Sequence, residues 1–150
     1  MAQSIEILSL ILTGLLAGVY LGGALSDARI SDLSAQAFTE THQARDVVMR
    51  RAMPPFVLAT MACVAGSALL APETRVGRLA VVALLVLDTL VAVRLQIPIN
   101  RRIATWRPGN PPDDWARWRD RWRVGHLVRT MFGLGGFTSL TLLSLWMIMS

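Results

Sequence analysis

Four long apolar stretches dominate the pattern of this chain, and its polar residues gather between them. The stretches cover residues 5–25, 54–71, 76–97 and 127–149. Each is close to the roughly 20 apolar residues that a helix needs to cross about 30 Å of hydrocarbon. The second is the shortest, running from Phe56 to Ala71 once its prolines are set aside. Lipid offers backbone groups no partner, so each stretch reads as a helix that bonds within itself. The pattern predicts an all-α fold, an integral membrane four-helix bundle forming a single transmembrane domain over residues 1–150, with long loops at 26–53 and 98–126. The first stretch also invites reading as a signal peptide. Acidic Glu6 stands where basic residues should precede the apolar run, and no convincing cleavage site follows, which favours a retained span.

The loops carry helical patterns of their own. Ser31 and Asp32 can cap a helix on which Phe38, His42, Arg45 and Met49 share a stripe, and this predicts an interfacial helix in the first long loop. Pro54 and Pro55 are expected to end it and to start span two, since proline suits a first helical turn and disrupts an interior. In the second loop Trp115, Trp118, Trp122, His126 and Arg129 are spaced by three, four, four and three residues, so all five project from one side. This predicts a Trp/Arg-rich helix leading into the fourth span, with Asp113 or Asp114 as its N-cap. Pro98 is expected to end span three and to leave Asn100 near the interface with an amide that donates and accepts.

Composition agrees with the membrane assignment: 53% of the residues are hydrophobic, too many for an ordinary soluble domain. Cys63 is alone, which removes intramolecular disulfides and cysteine clusters from consideration. The net charge is +5, and every cationic side chain is arginine. Those arginines flank apolar spans and alternate with Asp113, Asp114 and Asp120, a placement that suits lipid headgroups or anionic ligands better than nucleic acid. Arg29, Arg45, Arg50 and Arg51 lie in the first long loop, and Arg101, Arg102, Arg107, Arg117, Arg119, Arg121 and Arg123 in the second. The opposite side has only Arg75 and Arg78. The positive-inside rule therefore predicts a cell-membrane protein with cytoplasmic long loops and both termini outside.

Within the spans two features stand out. Gly14, Gly18 and Gly22 form a small-residue ridge that lets a helix approach closely, either inside the bundle or between copies as a possible homo-oligomer. Asp88 lies inside an apolar run, where an ionised carboxylate facing lipid costs several kcal/mol, so it must face inward, stay protonated or find a donor. That requirement makes it an intramembrane functional candidate or a hydrogen-bonded tie between helices. Arg94 is placed to snorkel to the headgroups.

The topology brings His42 and His126 to one membrane face, together with Asn100, Arg129, Trp106, Trp118, Arg121 and Trp122. The Pro98, Ile99, Asn100 triplet and the spacing of Arg121, Trp122, His126 and Arg129, with Arg51, Met53 and Pro54 before span two, resemble the anthrone-oxygenase-like family of small four-span membrane proteins. The resemblance covers most of the chain. It implies oxidation of a lipophilic phenolic or polycyclic anthrone to a quinone by dioxygen, without metal or organic cofactor. Such chemistry calls for a base, for which His126 is the first candidate, with His42 as a second base or an orienting group. Asn100 and Arg129 would stabilise the developing oxyanion, while Trp118 and Trp122, with Trp106 and Arg121 nearby, would hold a flat ring.

Two other readings compete. His42 and His126 are possible ligands for haem or copper, although two histidines without a paired-histidine or attachment motif make a thin ligand set. A non-catalytic membrane interaction protein or small transporter would use Asp88 and the glycine ridge, but no internal repeat or pair of interrupted helices supports a transport site. The tryptophans and arginines before span four also suit an aromatic belt and a positive collar that merely anchor it.

Overall fold

A computed structural model describes residues 2–149. Helix α1 spans Ala2–Ser26, α2 Ala35–Leu70, α3 Arg75–Val91, α4 Ile97–Ile103 and α5 Trp115–Met149. A 3-10 turn, Asp27–Asp32, joins α1 to α2, another, Pro72–Thr74, joins α2 to α3, and one π-helical turn, Ala92–Gln96, joins α3 to α4. Four helical stretches are long and apolar enough to cross a membrane. They run alternately up and down, so both long connections lie at one end of the bundle.

Serines and threonines sit in the apolar spans at little cost because their hydroxyls bond back along the helix. Ser9 Oγ donates to the Ile5 carbonyl and Thr13 Oγ1 to that of Ser9, both at 2.7 Å. Beneath them one buried cluster, with Leu16, Tyr20, Val57, Val64, Val81, Leu85 and Leu140, fills the centre of the bundle. Small residues bring the backbones together there. A Cβ on Gly133 would stand 2.7 Å from the Tyr20 ring, and one on Gly77 would stand 2.8 Å from the Leu143 methyls.

The helix expected in the first long loop exists, but it does not lie apart from span two. Ala35–Leu70 is one helix with Pro54 and Pro55 inside it. The carbonyls these prolines leave free belong to exposed Arg50 and Arg51, where water can bond them, which explains why the helix passes through. Its N-cap is Ser34, whose Oγ accepts from the Ala37 N–H at 3.2 Å; Ser31 and Asp32 belong to the 3-10 turn instead. At 36 residues α2 is about 54 Å long, well beyond the roughly 30 Å of a hydrocarbon core. Its first half therefore projects out of the apolar layer.

Pro98 likewise does not terminate span three. It occupies the first turn of α4, where a missing N–H costs least, and the wider π turn before it absorbs the change in hydrogen bonding. The projecting parts of α2, α4 and α5 build a second core from Ile30, Phe38, Ile99, Ile103 and Trp122, with Leu95, Trp106, Trp115 and Trp118 packed against it. The tryptophans before span four thus cover a packed cap. Arginines fold over them: Arg102 and Arg121 lie 4.2 and 5.4 Å from the Trp118 ring, and Arg119 lies 4.9 Å from Trp115. Asp114 accepts the Trp118 indole N–H at 2.8 Å, bracing the first turn of α5.

The far end of the bundle holds an ion pair. Arg78, fully buried, donates through both terminal nitrogens to Glu6 and through Nε to Thr74, while Ser67 and Ser144 complete the network. Arg78 is a charge-paired core residue, whereas Arg75 donates from Nε to the Ala68 carbonyl at 3.3 Å. The glycine ridge is also split. Gly14 packs on Phe137, whereas Gly18 and Gly22 face open space.

Candidate functional site

A cavity of about 110 Å³ opens where the two apolar clusters meet. Val19, Tyr20 and Gly23 line it from α1, His42, Arg45, Asp46, Met49 and Met53 from α2, and Trp122, His126 and Arg129 from α5. Gln96 and Asn100 close it from the π turn and α4. His42, Arg45, Asp46, Met49 and Met53 follow one another at helical spacing on the part of α2 that precedes Pro54, so one face of that helix supplies this wall.

The best-defined hydrogen bonding runs across α2 and α4. His42 Nε2 lies 3.1 Å from Asn100 Oδ1, and Asn100 Nδ2 donates to Asp46 Oδ1 at 3.0 Å. His42 and Asp46 are one turn apart on α2, so a single amide from α4 meets both. His42 is 3% exposed, and its Nδ1 is buried without a partner among the described residues. It belongs to the projecting half of α2, outside the apolar span. Burial, reinforced by the Arg45 charge, pushes its pKa down to about 4 against the partial support of the Asn100 bond. The ring is therefore neutral at physiological pH. The same three residues border a second hollow of about 230 Å³, which Gln43, Val47, Arg50 and Ala104 complete.

Trp122 stands between the two histidines. Its ring meets His42 edge-on at 5.0 Å and stacks on His126 at 5.2 Å, with only 8° between the planes. The Arg45 guanidinium lies 4.7 Å from the same ring and is held by Asp27 at 3.0 Å. His126 fits because Gly23 lacks a side chain: a Cβ there would stand 2.7 Å from His126 Nε2. That nitrogen is buried and has no hydrogen-bond partner among the described residues.

The inner wall is a buried ion pair. Asp88, fully buried, accepts from Arg129 Nε at 2.7 Å, from Arg129 Nη2 at 3.2 Å and from the Tyr20 hydroxyl at 2.8 Å. Arg129 Nη1 donates to Gln96 Oε1 at 2.6 Å, and Nη2 also bonds the Tyr20 oxygen. Asp88 thus meets its requirement for a donor, while Arg94 is exposed. Every guanidinium nitrogen of Arg129 is engaged, so its charge is largely balanced before any ligand arrives.

His42, Asn100, Trp122, His126 and Arg129 thus share the cavity, whereas Trp106, Trp118 and Arg121 lie on the outer side of the cap. Gln43 ties Trp106 in place by donating to its carbonyl at 3.0 Å. Sequence reasoning missed Asp46, Tyr20, Gly23 and Gln96. The four-residue step from His42 to Asp46 and the presence of one tyrosine in the whole chain were the available signals. Among the described residues no three His, Cys, Asp or Glu side chains come together as a metal site would require.

A family model described as anthrone oxygenase matches residues 44–139, more than half of the chain. The matched stretch contains Asp46, Asn100, Trp122, His126 and Arg129; Tyr20, Gly23 and His42 precede it. No curated protein and no solved structure matches the chain.

Proposed function

The chain belongs to the anthrone oxygenase family, and on that footing we propose that it is a membrane oxidoreductase that oxidises a lipophilic phenolic or polycyclic substrate with dioxygen through a base-formed enolate. The observation that carries this reading is a neutral, buried His42 whose Nε2 is engaged by Asn100 and whose Nδ1 is free, beside a cavity reachable from the apolar layer.

An anthrone methylene loses a proton to Nδ1, leaving an enolate that is rich enough in electrons to reduce dioxygen. One oxygen atom becomes the new quinone carbonyl and the other leaves as water, so the four electrons lost at carbon equal the four gained by dioxygen. Burial makes an isolated imidazolium unfavourable, but proton transfer creates it next to the enolate, and the pair is stabilised where water is scarce. His126, whose Nε2 is unpartnered, supplies a second polar contact for a substrate oxygen. Arg129 and Tyr20 form the polar floor.

The cavity also bounds how the substrate sits. A cavity of about 150 Å³ holds benzene, so about 110 Å³ admits one reactive edge of a ring system. The rest of a tricycle lies toward Val19 and Met49, which are exposed on α1 and α2. Trp122 orients His42 and His126; its own ring is already engaged by His126 and Arg45.

The sidedness that fits the charges places both long connections in the cytoplasm and both termini outside. Two arginines, Arg75 and Arg78, lie at the other end, against eleven in the two long connections. Oxygen uptake by protein reconstituted in nanodiscs with anthrone tests the activity. Turnover should fall at least tenfold in His42→Gln and Asn100→Leu; unchanged turnover in both sinks the proposal. An absorption spectrum of the same preparation tests the haem or copper reading. A Soret band that disappears in His126→Ala would replace the cofactor-free scheme.

A further inference from the structure

The contact of Asp46 with Asn100 bears on which nitrogen of His42 carries the ring hydrogen. A carboxylate only accepts hydrogen bonds, so the 3.0 Å contact obliges Asn100 to turn its NH2 toward Asp46. The amide oxygen then faces His42 Nε2 at 3.1 Å. That oxygen also only accepts, so Nε2 must carry the hydrogen of the neutral ring. The lone pair is left on Nδ1, the buried nitrogen without a partner.

Without Asp46 the orientation of the Asn100 amide is no longer fixed. An asparagine amide turned over presents NH2 to Nε2, which then must be the acceptor, and the hydrogen moves to Nδ1. Nothing else on α4 selects one orientation: neighbouring Arg101 and Arg102 are exposed, and Gln43 donates to the Ile103 and Trp106 carbonyls. We propose that Asp46 is a positioning residue that, acting through Asn100, holds His42 as the Nε2–H tautomer and so makes Nδ1 the proton acceptor. The inference rests on the reading of His42 as the base. It adds a residue that is hydrogen-bonded to Asn100 and acts on His42 through it.

The chain has only two histidines, which makes the tautomer directly readable. Protein labelled with 15N-histidine is placed in lipid nanodiscs, and the His42 signals are identified by their loss in His42→Gln. The wild type should show a protonated Nε2 and an unprotonated Nδ1. Asp46→Leu should show both tautomers, or the opposite one, and Asp46→Asn, which keeps an acceptor oxygen, should stay closer to wild type. A pure Nε2–H tautomer in Asp46→Leu, with helix content retained, overturns the proposal.

Kinetics separate this inference from the reading beneath it. Asp46→Leu should lower kcat with anthrone at least tenfold at an unchanged KM, with Asp46→Asn in between. If His42→Gln keeps full turnover, the base assignment fails while the tautomer experiment still decides what Asp46 does. If the tautomer shifts in Asp46→Leu and kcat does not, Asp46 holds no functional position and the proposal falls.

Discussion

Replacing Asp88 with leucine removes the one carboxylate that balances Arg129. The side chain of Arg129 is 12% exposed and that of Asp88 is fully buried, so the stranded guanidinium has little access to water. Arg129 Nε at 2.7 Å and the Tyr20 hydroxyl at 2.8 Å lose their acceptor and Arg129 Nη2 loses one of its two, while Gln96 still takes Nη1. Breaking a buried pair from one side costs about 3–5 kcal/mol, because an uncompensated charge remains. Tyr20→Phe loses two hydrogen bonds, one to Asp88 and one from Arg129 Nη2, but leaves both Arg129 contacts to Asp88, so it should cost about 2 kcal/mol. The double variant Asp88→Leu/Arg129→Leu removes the charge as well and should recover at least about 1 kcal/mol of the sum of the two single losses. Unfolding in mixed micelles, followed by tryptophan fluorescence, gives all four values. Strict additivity of the two leucine substitutions, or a loss for Asp88→Leu no greater than for Tyr20→Phe, refutes the ion-pair argument.

Other substitutions test the close approaches and the histidine. Gly23→Ala puts a Cβ 2.7 Å from His126 Nε2; it should destabilise by about 1–3 kcal/mol through overpacking and lower turnover. Gly22→Ala meets nothing within 4 Å and should be neutral or stabilising by up to about 1 kcal/mol, since alanine is the better helix former. A pair that behaves alike in thermal unfolding contradicts this packing. His42 has its pKa lowered to about 4 by burial, so folding favours the neutral ring. Its stabilising contribution is complete above the unfolded value near 6.5 and is lost as pH falls from there toward 4. The acid limb of kcat/KM should accordingly lie near pH 4; an acid limb at pH 6.5 that vanishes in His42→Gln contradicts the burial of the ring. Glu6→Gln leaves Arg78 without a counter-charge and should lower the unfolding midpoint without changing KM, because the network lies at the far end from the cavity.

Much of the fold was legible because spanning lipid imposes a length and an apolarity that few other constraints resemble. The four spans, the long helix into span four and the convergence of distant residues at one end all follow from it. The boundaries did not follow. Pro54 and Pro55 read as a break, but exposed carbonyls tolerate a missing donor, and Pro98 is accommodated by a π turn that no local pattern announces. The tryptophans were ambiguous for a different reason. The spacing that builds an aromatic belt also builds one face of a packed cap, and only the partners Phe38, Ile99 and Ile103 distinguish them.

The site was legible by chemistry but not by pairing. His42, His126, Asn100, Arg129 and Asp88 were identifiable because such residues are costly near a membrane. Their partners are distant in the chain: Arg129 reaches Asp88 across 41 positions, His42 reaches Asn100 across 58, and Tyr20 reaches Asp88 across 68. No periodicity links residues on different helices, so the ties of Asp46 to Asn100 and of Glu6 to Arg78 emerge only once the bundle is assembled.

The central claim is that His42 removes a proton from carbon, and this step can be watched without oxygen. Protein in nanodiscs is mixed anaerobically with anthrone in D2O, and the loss of the methylene proton signal is followed by NMR. Wild-type protein should speed the exchange over empty nanodiscs, and His42→Gln should slow the catalysed rate at least about a hundredfold, the lower scale for losing a general base, while His126→Gln retains most of it. Exchange that persists at the wild-type rate in His42→Gln contradicts the account.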